Sequence, residues 1–211
     1  MNAKGALTMS NRERIRHLLW SWLSVGFIYG TTRYMPGEHW IIPELWLDRQ
    51  IPFNSAGVWL YLAFFIFVPW AFFKAEAARI YPLRYAIQIS ALISGIIFIL
   101  FPSSLSYPTV MTEDIHTSAF KFLLAIDTTQ NCLPSLHAAL IFLGLLALWD
   151  WQKKWQSALY LLVTLAMAFS IIQLRRHLTL DVSAGVVVGI IAYFAAKKLI
   201  AQYPSLLRQS L

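Results

Sequence analysis

The sequence predicts an all-α membrane protein: a polytopic six-transmembrane helical bundle with a short interfacial helix between its first two spans. Three observations carry this. Hydrophobic residues make up 58% of the 211 residues and charged residues only 13%, about half the charged share of an ordinary soluble domain. The apolar residues fall in long blocks, most of them free of Asp, Glu, Lys and Arg. Lysine and arginine are spread unevenly over the connections between those blocks.

The blocks cover residues 17–32, 55–73, 85–101, 135–149, 155–174 and 182–200. The second, third and fifth contain no charged residue, and each approaches the ~20 residues needed to cross hydrocarbon as a helix. The first, fourth and sixth are shorter or less clean. They count as spans because an α-helical membrane protein leaves few other places for such runs; the alternative for the fourth is a buried or re-entrant helix. Between the first two blocks, Trp40 and Trp46 mix with Glu38, Glu44, Asp48 and Arg49. That pattern suits a short helix in the headgroup region, or equally a linker hugging the membrane. Residues 1–16 are polar and basic, and the first block runs into "GTTRYMPGEHW" without a small-residue cleavage site, so no secretory signal peptide is expected. With no repeat or low-complexity segment, the expectation is one domain over 1–211. Residues 1–16 and 201–211 are its terminal segments.

Orientation follows from the basic residues. With six spans, the termini and the turns near 74–84 and 150–154 share one side, which holds twelve Lys and Arg against three acids; the other side has five against seven. Both termini are therefore expected in the cytoplasm. The net charge of +7 reads as a topology signal and not as a nucleic-acid footprint. Cys132 is the single cysteine, which excludes an intrachain disulfide and any cysteine-based metal cluster. No His-x3-His or carboxylate-rich metal pattern occurs, and no cofactor is implied.

Two polar clusters interrupt the apolar text. In "NCLPSLHAAL" (131–140), Pro134, Ser135 and His137 stand at the mouth of the fourth block. With Pro134 at the first helical position, the following amides would point outward and attract an anion. In "SIIQLRRHLTLDVSAG" (170–185), Arg175 and Arg176 precede His177, and Asp181 follows four residues on. If a helix starts there, His177 and Asp181 share a face one turn apart. A carboxylate beside an imidazole fixes its tautomer and prepares it for nucleophilic or acid–base work. Guanidinium groups bind phosphate oxygens through paired donors. The forty residues between the histidines make one antiparallel hairpin of about bilayer length, which returns both clusters to the same membrane face. Singly, each residue also fits a plain role: an interfacial histidine, arginines meeting headgroups, an aspartate balancing their charge. Jointly they point to a phosphoryl-handling site, since ionisable groups near membrane depth are costly and mostly functional.

"PSLH" followed about forty residues later by "RRHLTLD" resembles the type-2 phosphatidic acid phosphatase superfamily, whose second and third motifs read P-S-[GL]-H and S-R-x5-H-x3-D. "IPFNSAGVWLYLAF" and "FPSSLSYP" look most like the branch containing inositol-phosphorylceramide synthases and related bacterial phosphatases. The likeness spans roughly residues 48–190. It implies a metal-independent phosphohistidine mechanism. His177 matches the nucleophile, Asp181 its orienting carboxylate, His137 the general acid and base, and Ser135 a phosphate-contacting position. Two departures stand out. The first motif, K-x6-R-P, has Leu100 and Tyr107 in place of its basic residues, and the third motif's arginine falls at Ile171. Arg175 and Arg176 are the candidate substitutes, with Arg33, Arg49 and Lys121 as further sources of charge.

The resemblance implies a lipid phosphatase acting at the non-cytoplasmic face, with phosphatidic acid, phosphatidylglycerophosphate and undecaprenyl diphosphate as candidate substrates. A phosphotransferase moving a phospho-headgroup onto a lipid alcohol shares the same chemistry. A non-enzymatic transport or assembly protein is the third reading, and polar residues along several spans would favour it. Here the span middles are nearly all apolar. In every case Gly185 and Gly189 could form a helix-packing face. The partners are a membrane lipid phosphate and the bilayer; a bacterial inner membrane with a periplasmic active site is the expected location.

Overall fold

A computed structural model describes residues 8–33, 36, 38–108, 114–127 and 130–204. Its first helix, α1 (Asn11–Thr32), begins where Ser10 can cap it. The Ser10 hydroxyl accepts from the Glu13 amide at 3.3 Å, and the Glu13 carboxylate accepts from the Ser10 amide at 2.7 Å, so two otherwise orphaned donors are satisfied. Helix α2 is only Trp46–Gln50. A tight turn over Ser55–Gly57 leads into α3 (Val58–Leu62) and α4 (Phe64–Lys74), which together form one apolar stretch. Then come α5 (Ala77–Leu100), α6 (Ile115–Ile126), α7 (Leu136–Leu148), α8 (Lys154–Gln173) and α9 (Thr179–Gln202).

Among the described residues, four stretches are long and apolar enough to cross a membrane: Ser55–Lys74, Ala77–Leu100, Lys154–Gln173 and Thr179–Gln202. The six expected spans thus divide into these four and two helices, α1 and α7, that fall short of the same measure. Helix α1 opens with Arg12, Glu13, Arg14 and Arg16, and its polar face lowers its hydropathy. Helix α7 has 13 residues, about 20 Å of rise against a hydrocarbon core of ~30 Å. It is apolar on every side, the pattern of a helix surrounded by others. It packs against α4, α5, α8 and α9, and only three of its residues escape full burial.

Close approach of α9 to α7 explains the two glycines. A Cβ at Gly185 would run into the Ser135 carbonyl oxygen, and one at Gly189 would sit 3.1 Å from the Phe142 ring. At the end of the bundle where α1 starts, arginines close helix ends. Arg14 donates to the carbonyls of Phe72 at 2.6 Å and Ala75 at 2.9 Å, and Arg79 donates to the Trp149 carbonyl at the end of α7. Cations there satisfy orphan acceptors and suit the negative end of the helix dipole.

The opposite end is more ordered than a loop reading implies. Strand β1 (Trp40–Ile41) pairs in parallel with β2 (Ser103–Ser104), stitching the two long connections together. Helix α6 lies inside what the sequence treats as a connection. Asp114 caps it, its carboxylate accepting from the Thr117 amide at 2.6 Å, and Thr117, Phe120 and Leu123 bury one face. A small second core of Ile42, Leu105, Cys132 and Leu178 seals this end.

Candidate active site

Helix α8 stops in a reversal that sets up the site. The Arg175 amide donates to the Ile172 carbonyl at 2.9 Å, and the Arg176 amide reaches back to Ile171 at 3.1 Å. This is the Schellman pattern of a helix C-terminus, which places the residue after the cap in the left-handed region. Arg175 occupies that position with φ 53°, a conformation usually left to glycine. The chain then turns into α9 within four residues.

His177 and Asp181 do not share a helical face as the spacing suggests. His177 precedes Leu178, the cap of α9, and Asp181 is the third residue of that helix. Its carboxylate folds back: Oδ1 accepts from the Leu178 amide at 2.6 Å, while Oδ2 lies 2.7 Å from His177 Nδ1. An acid in the first turn is also favoured by the helix dipole. The Asp181 carbonyl accepts from the Ser135 amide at 2.9 Å, which docks the start of α7 on the start of α9. Ser135, and not Pro134, marks that start. Its hydroxyl accepts from the Ala138 amide at 3.3 Å, so the hydroxyl caps the helix and the Ser135 amide is already engaged.

His137 follows two residues later, and the hairpin of α7 and α8 brings its ring to 5.6 Å from that of His177, centroid to centroid. A phosphorus centre about 3 Å from each reacting atom fits such a separation. His137 Nε2 is 2.9 Å from the Tyr61 hydroxyl, which donates to Asp127 Oδ2 at 3.1 Å. The same carboxylate oxygen takes a hydrogen bond from Arg176 at 2.8 Å. Burial disfavours the Arg176 charge, but Asp127 together with the Tyr61 and Tyr107 hydroxyls more than offsets it, and the guanidinium is held above its ordinary range. Its face lies 5.2 Å over the Tyr107 ring. Asp181 is fully buried, and Arg176 and His177 are nearly so.

The two arginines part company. Arg175 donates to the carbonyls of Asp48 at 2.9 Å and Ile51 at 3.1 Å, and pairs with Glu44 at 3.5 Å. Asp48 also accepts from the Thr179 amide and hydroxyl at 2.7 and 2.6 Å. Arg175 and Asp48 therefore latch the 44–51 segment over the turn into α9, while Arg176 stays with the histidines. Among the other charges considered, Arg49 and Lys121 are exposed. Ile171 is buried in α8 and Leu100 is exposed at the end of α5.

Tyr61, Asp127 and Asp48 escaped the sequence reading. Tyr61 sits inside an apolar block, where nothing marks it apart from other aromatics. Asp127 had a signal: it is an acid placed between an apolar run and the "PSLH" cluster. A cavity of about 210 Å³ opens beside His137, with Asp127 and Tyr61 on its polar side and Trp22, Phe64 and Leu140 among its apolar walls. Cys132 is adjacent to this region, but burial pushes its thiol up to about 12, so it stays a neutral side chain. Among the described residues, no three His, Cys, Asp or Glu side chains group as metal ligands.

Comparison with known proteins adds the family. The crystal structure of Aquifex aeolicus LpxE is similar at 18% identity, covering 84% of this chain and 94% of that one with a TM-score of 0.49. None of the curated proteins is similar to the chain by sequence. The family model of the PAP2 superfamily matches residues 39–195. That span takes in both polar clusters and most of the bundle, and the chain belongs to the PAP2 superfamily.

Proposed function

We propose that the protein is an integral-membrane lipid phosphatase that releases phosphate from a lipid phosphate or diphosphate through a phosphohistidine on His177. The observation that carries this is the pairing of His177 Nδ1 with Asp181 at 2.7 Å beside the His137 ring at 5.6 Å. With Nδ1 engaged, the lone pair of His177 Nε2 is the one available for attack. It bonds to phosphorus as the bond to the lipid oxygen breaks, and His137 gives the leaving oxygen a proton. Water then attacks phosphorus, His137 takes a proton from it, and the P–N bond breaks. Two histidines, one aspartate and an arginine suffice for these transfers without a metal. Arg176 is assigned to the phosphoryl charge, and Arg175 to holding the 44–51 segment. Ser135 acts by fixing the start of α7.

A lipid substrate is favoured by the apolar walls of the cavity beside His137, which suit chains better than a soluble phosphate ester. The Lys and Arg distribution supports placing this end of the bundle outside the cytoplasm, in a bacterial inner membrane with the site facing the periplasm. In this reading α1 and the short α7 complete six spans, and α2 with its exposed Trp46 rests at the interface. Replacement of both first-motif basic residues, by Leu100 and Tyr107, favours one second reading: transfer of the phosphoryl-bearing group to a lipid alcohol.

The test is phosphate release from phosphatidic acid, phosphatidylglycerophosphate and undecaprenyl diphosphate by purified protein, with chelator present and with or without acceptor alcohols. Free phosphate from at least one lipid is expected. A phosphorylated acceptor with no free phosphate selects transfer, and no reaction with any lipid refutes the proposal.

A further inference from the structure

We propose that Tyr61 and Asp127 form a relay that positions His137, fixing its proton on Nε2 and leaving Nδ1 as the atom that exchanges a proton with the substrate. This rests on the phosphatase reading, but it makes a claim about the resting protein that can be measured without activity. The Arg176 ion pair requires Asp127 as a carboxylate. A carboxylate only accepts, so the single Tyr61 proton is donated to Asp127 Oδ2. The Tyr61 oxygen can then only accept from His137 Nε2 at 2.9 Å, which makes Nε2–H the donor. Nδ1 of His137 is buried and makes no hydrogen bond among the described residues. It is the ring nitrogen left for chemistry.

The two histidines thus use opposite nitrogens. His177 is held through Nδ1 by Asp181 and reacts at Nε2; His137 is held through Nε2 by Tyr61 and reacts at Nδ1. In the first step, the electron pair of the breaking P–O bond leaves with the lipid oxygen. That oxygen takes the Nδ1 proton that His137 carries as the imidazolium when the step begins, and the ring is left neutral with its remaining proton on Nε2. In the second, the attacking water loses a proton to Nδ1 as the P–N electron pair returns to His177. While His137 carries both protons, its charge faces the Asp127 carboxylate through Tyr61. The other groups around it are Tyr29 from α1, Phe64 from α4, and Arg176 and His177 from the turn before α9. Two of these are cationic or become so, and Asp127 is the anion that offsets them.

Nitrogen-15 spectra of the histidines in detergent at pH 8, with His137 assigned by its loss in His137→Gln, read the tautomer directly. The Nε2–H form is expected in the wild type, with mixed tautomers in Tyr61→Phe. An Nδ1–H form in the wild type overturns the relay whatever the enzyme does. Kinetics supply the second arm. Tyr61→Phe is expected to lower kcat about 10- to 100-fold, because it weakens without removing a general acid–base contribution of roughly 100- to 10,000-fold, with little change in KM, and to move the alkaline limb of the rate profile to lower pH. The loss should shrink with p-nitrophenyl phosphate, whose phenolate departs without a proton. Asp127→Asn should do the same, and the double variant should lose no more than Asp127→Asn alone. A Tyr61→Phe enzyme with wild-type rate and pH profile defeats the relay while leaving the phosphatase reading intact. A wild type inert toward every substrate defeats that reading, while the spectra still decide the relay.

Discussion

Asp181 Oδ2 lies 2.7 Å from His177 Nδ1 although the histidine stands outside the helix that carries the aspartate. The contact is made by a first-turn carboxylate reaching backward, and its other oxygen holds the Leu178 amide at 2.6 Å. One side chain therefore sets both the start of α9 and the orientation of the candidate nucleophile. Asp181→Asn keeps an acceptor for the amide but cannot stabilise an imidazolium. It should lower kcat by roughly 100-fold or more, as loss of an orienting carboxylate does elsewhere, with the far-ultraviolet spectrum unchanged. Phosphate release within about twofold of wild type would remove Asp181 from the mechanism.

The arginine pair separates by function. Arg176→Ala removes the cation beside Asp127 and should raise KM for a lipid phosphate at least tenfold. Arg175→Ala should leave KM near wild type but lower the thermal midpoint, because the Ile51 carbonyl loses its Arg175 donor and the Asp48 carbonyl is left with only the Ile51 amide. An unsatisfied buried polar group costs about 1–3 kcal/mol. Relief of the left-handed backbone at φ 53° offsets part of this in Arg175→Gly, which should melt above Arg175→Ala. The opposite pattern, with Arg175→Ala weakening binding more than Arg176→Ala, contradicts the assignment.

Gly185→Ala tests the docking of α9 on α7. The new methyl meets the Ser135 carbonyl oxygen, a backbone atom that cannot swing aside. Overpacking of this kind costs about 1–3 kcal/mol, and here it pushes on the residue that caps α7 two positions before His137. Both thermal stability and phosphate release should fall. Gly26→Ala, where an added Cβ meets nothing within 4 Å, is the comparison and should leave stability close to wild type.

Cys132 offers a pH-dependent readout. Burial raises its thiol from 9.0 to about 12 against the pull of the Tyr107 hydroxyl bond. A raised acid favours the protonated form in the folded state. Its contribution to stability is full below pH 9 and is lost as pH climbs toward 12. At pH 8 the folded protein in detergent should react with maleimide far more slowly than the same protein in denaturing detergent. Equal rates would show a thiol that is neither buried nor shifted.

Much of this architecture is legible in the text because the bilayer enforces it. Uncharged blocks such as 55–73 must be helices, and the hairpin between His137 and His177 returns them to one end because its legs are about a bilayer long. Helix α7 is harder to read: beyond His137 its 13 residues are apolar throughout, and such a block looks the same whether lipid or protein surrounds it, so only packing decides. The His177–Asp181 spacing pointed to the right pair through the wrong geometry, since i to i+4 occurs both on a helix face and across a helix cap. The pairing of Tyr61 with Asp127 is beyond reach for a different reason, although Asp127 by itself stands out as an acid between an apolar run and "PSLH". Their contact joins residues 66 apart, and no local pattern encodes a pairing that the assembled bundle creates.

Trapping the phosphoryl group tests the central claim most directly. Wild-type protein, mixed rapidly with radiolabelled lipid phosphate and quenched in alkali, should carry an acid-labile, base-stable label on the peptide containing His177. His177→Ala should carry none and release no phosphate. A His177→Ala variant that keeps full activity, or a label on any other residue, contradicts the account.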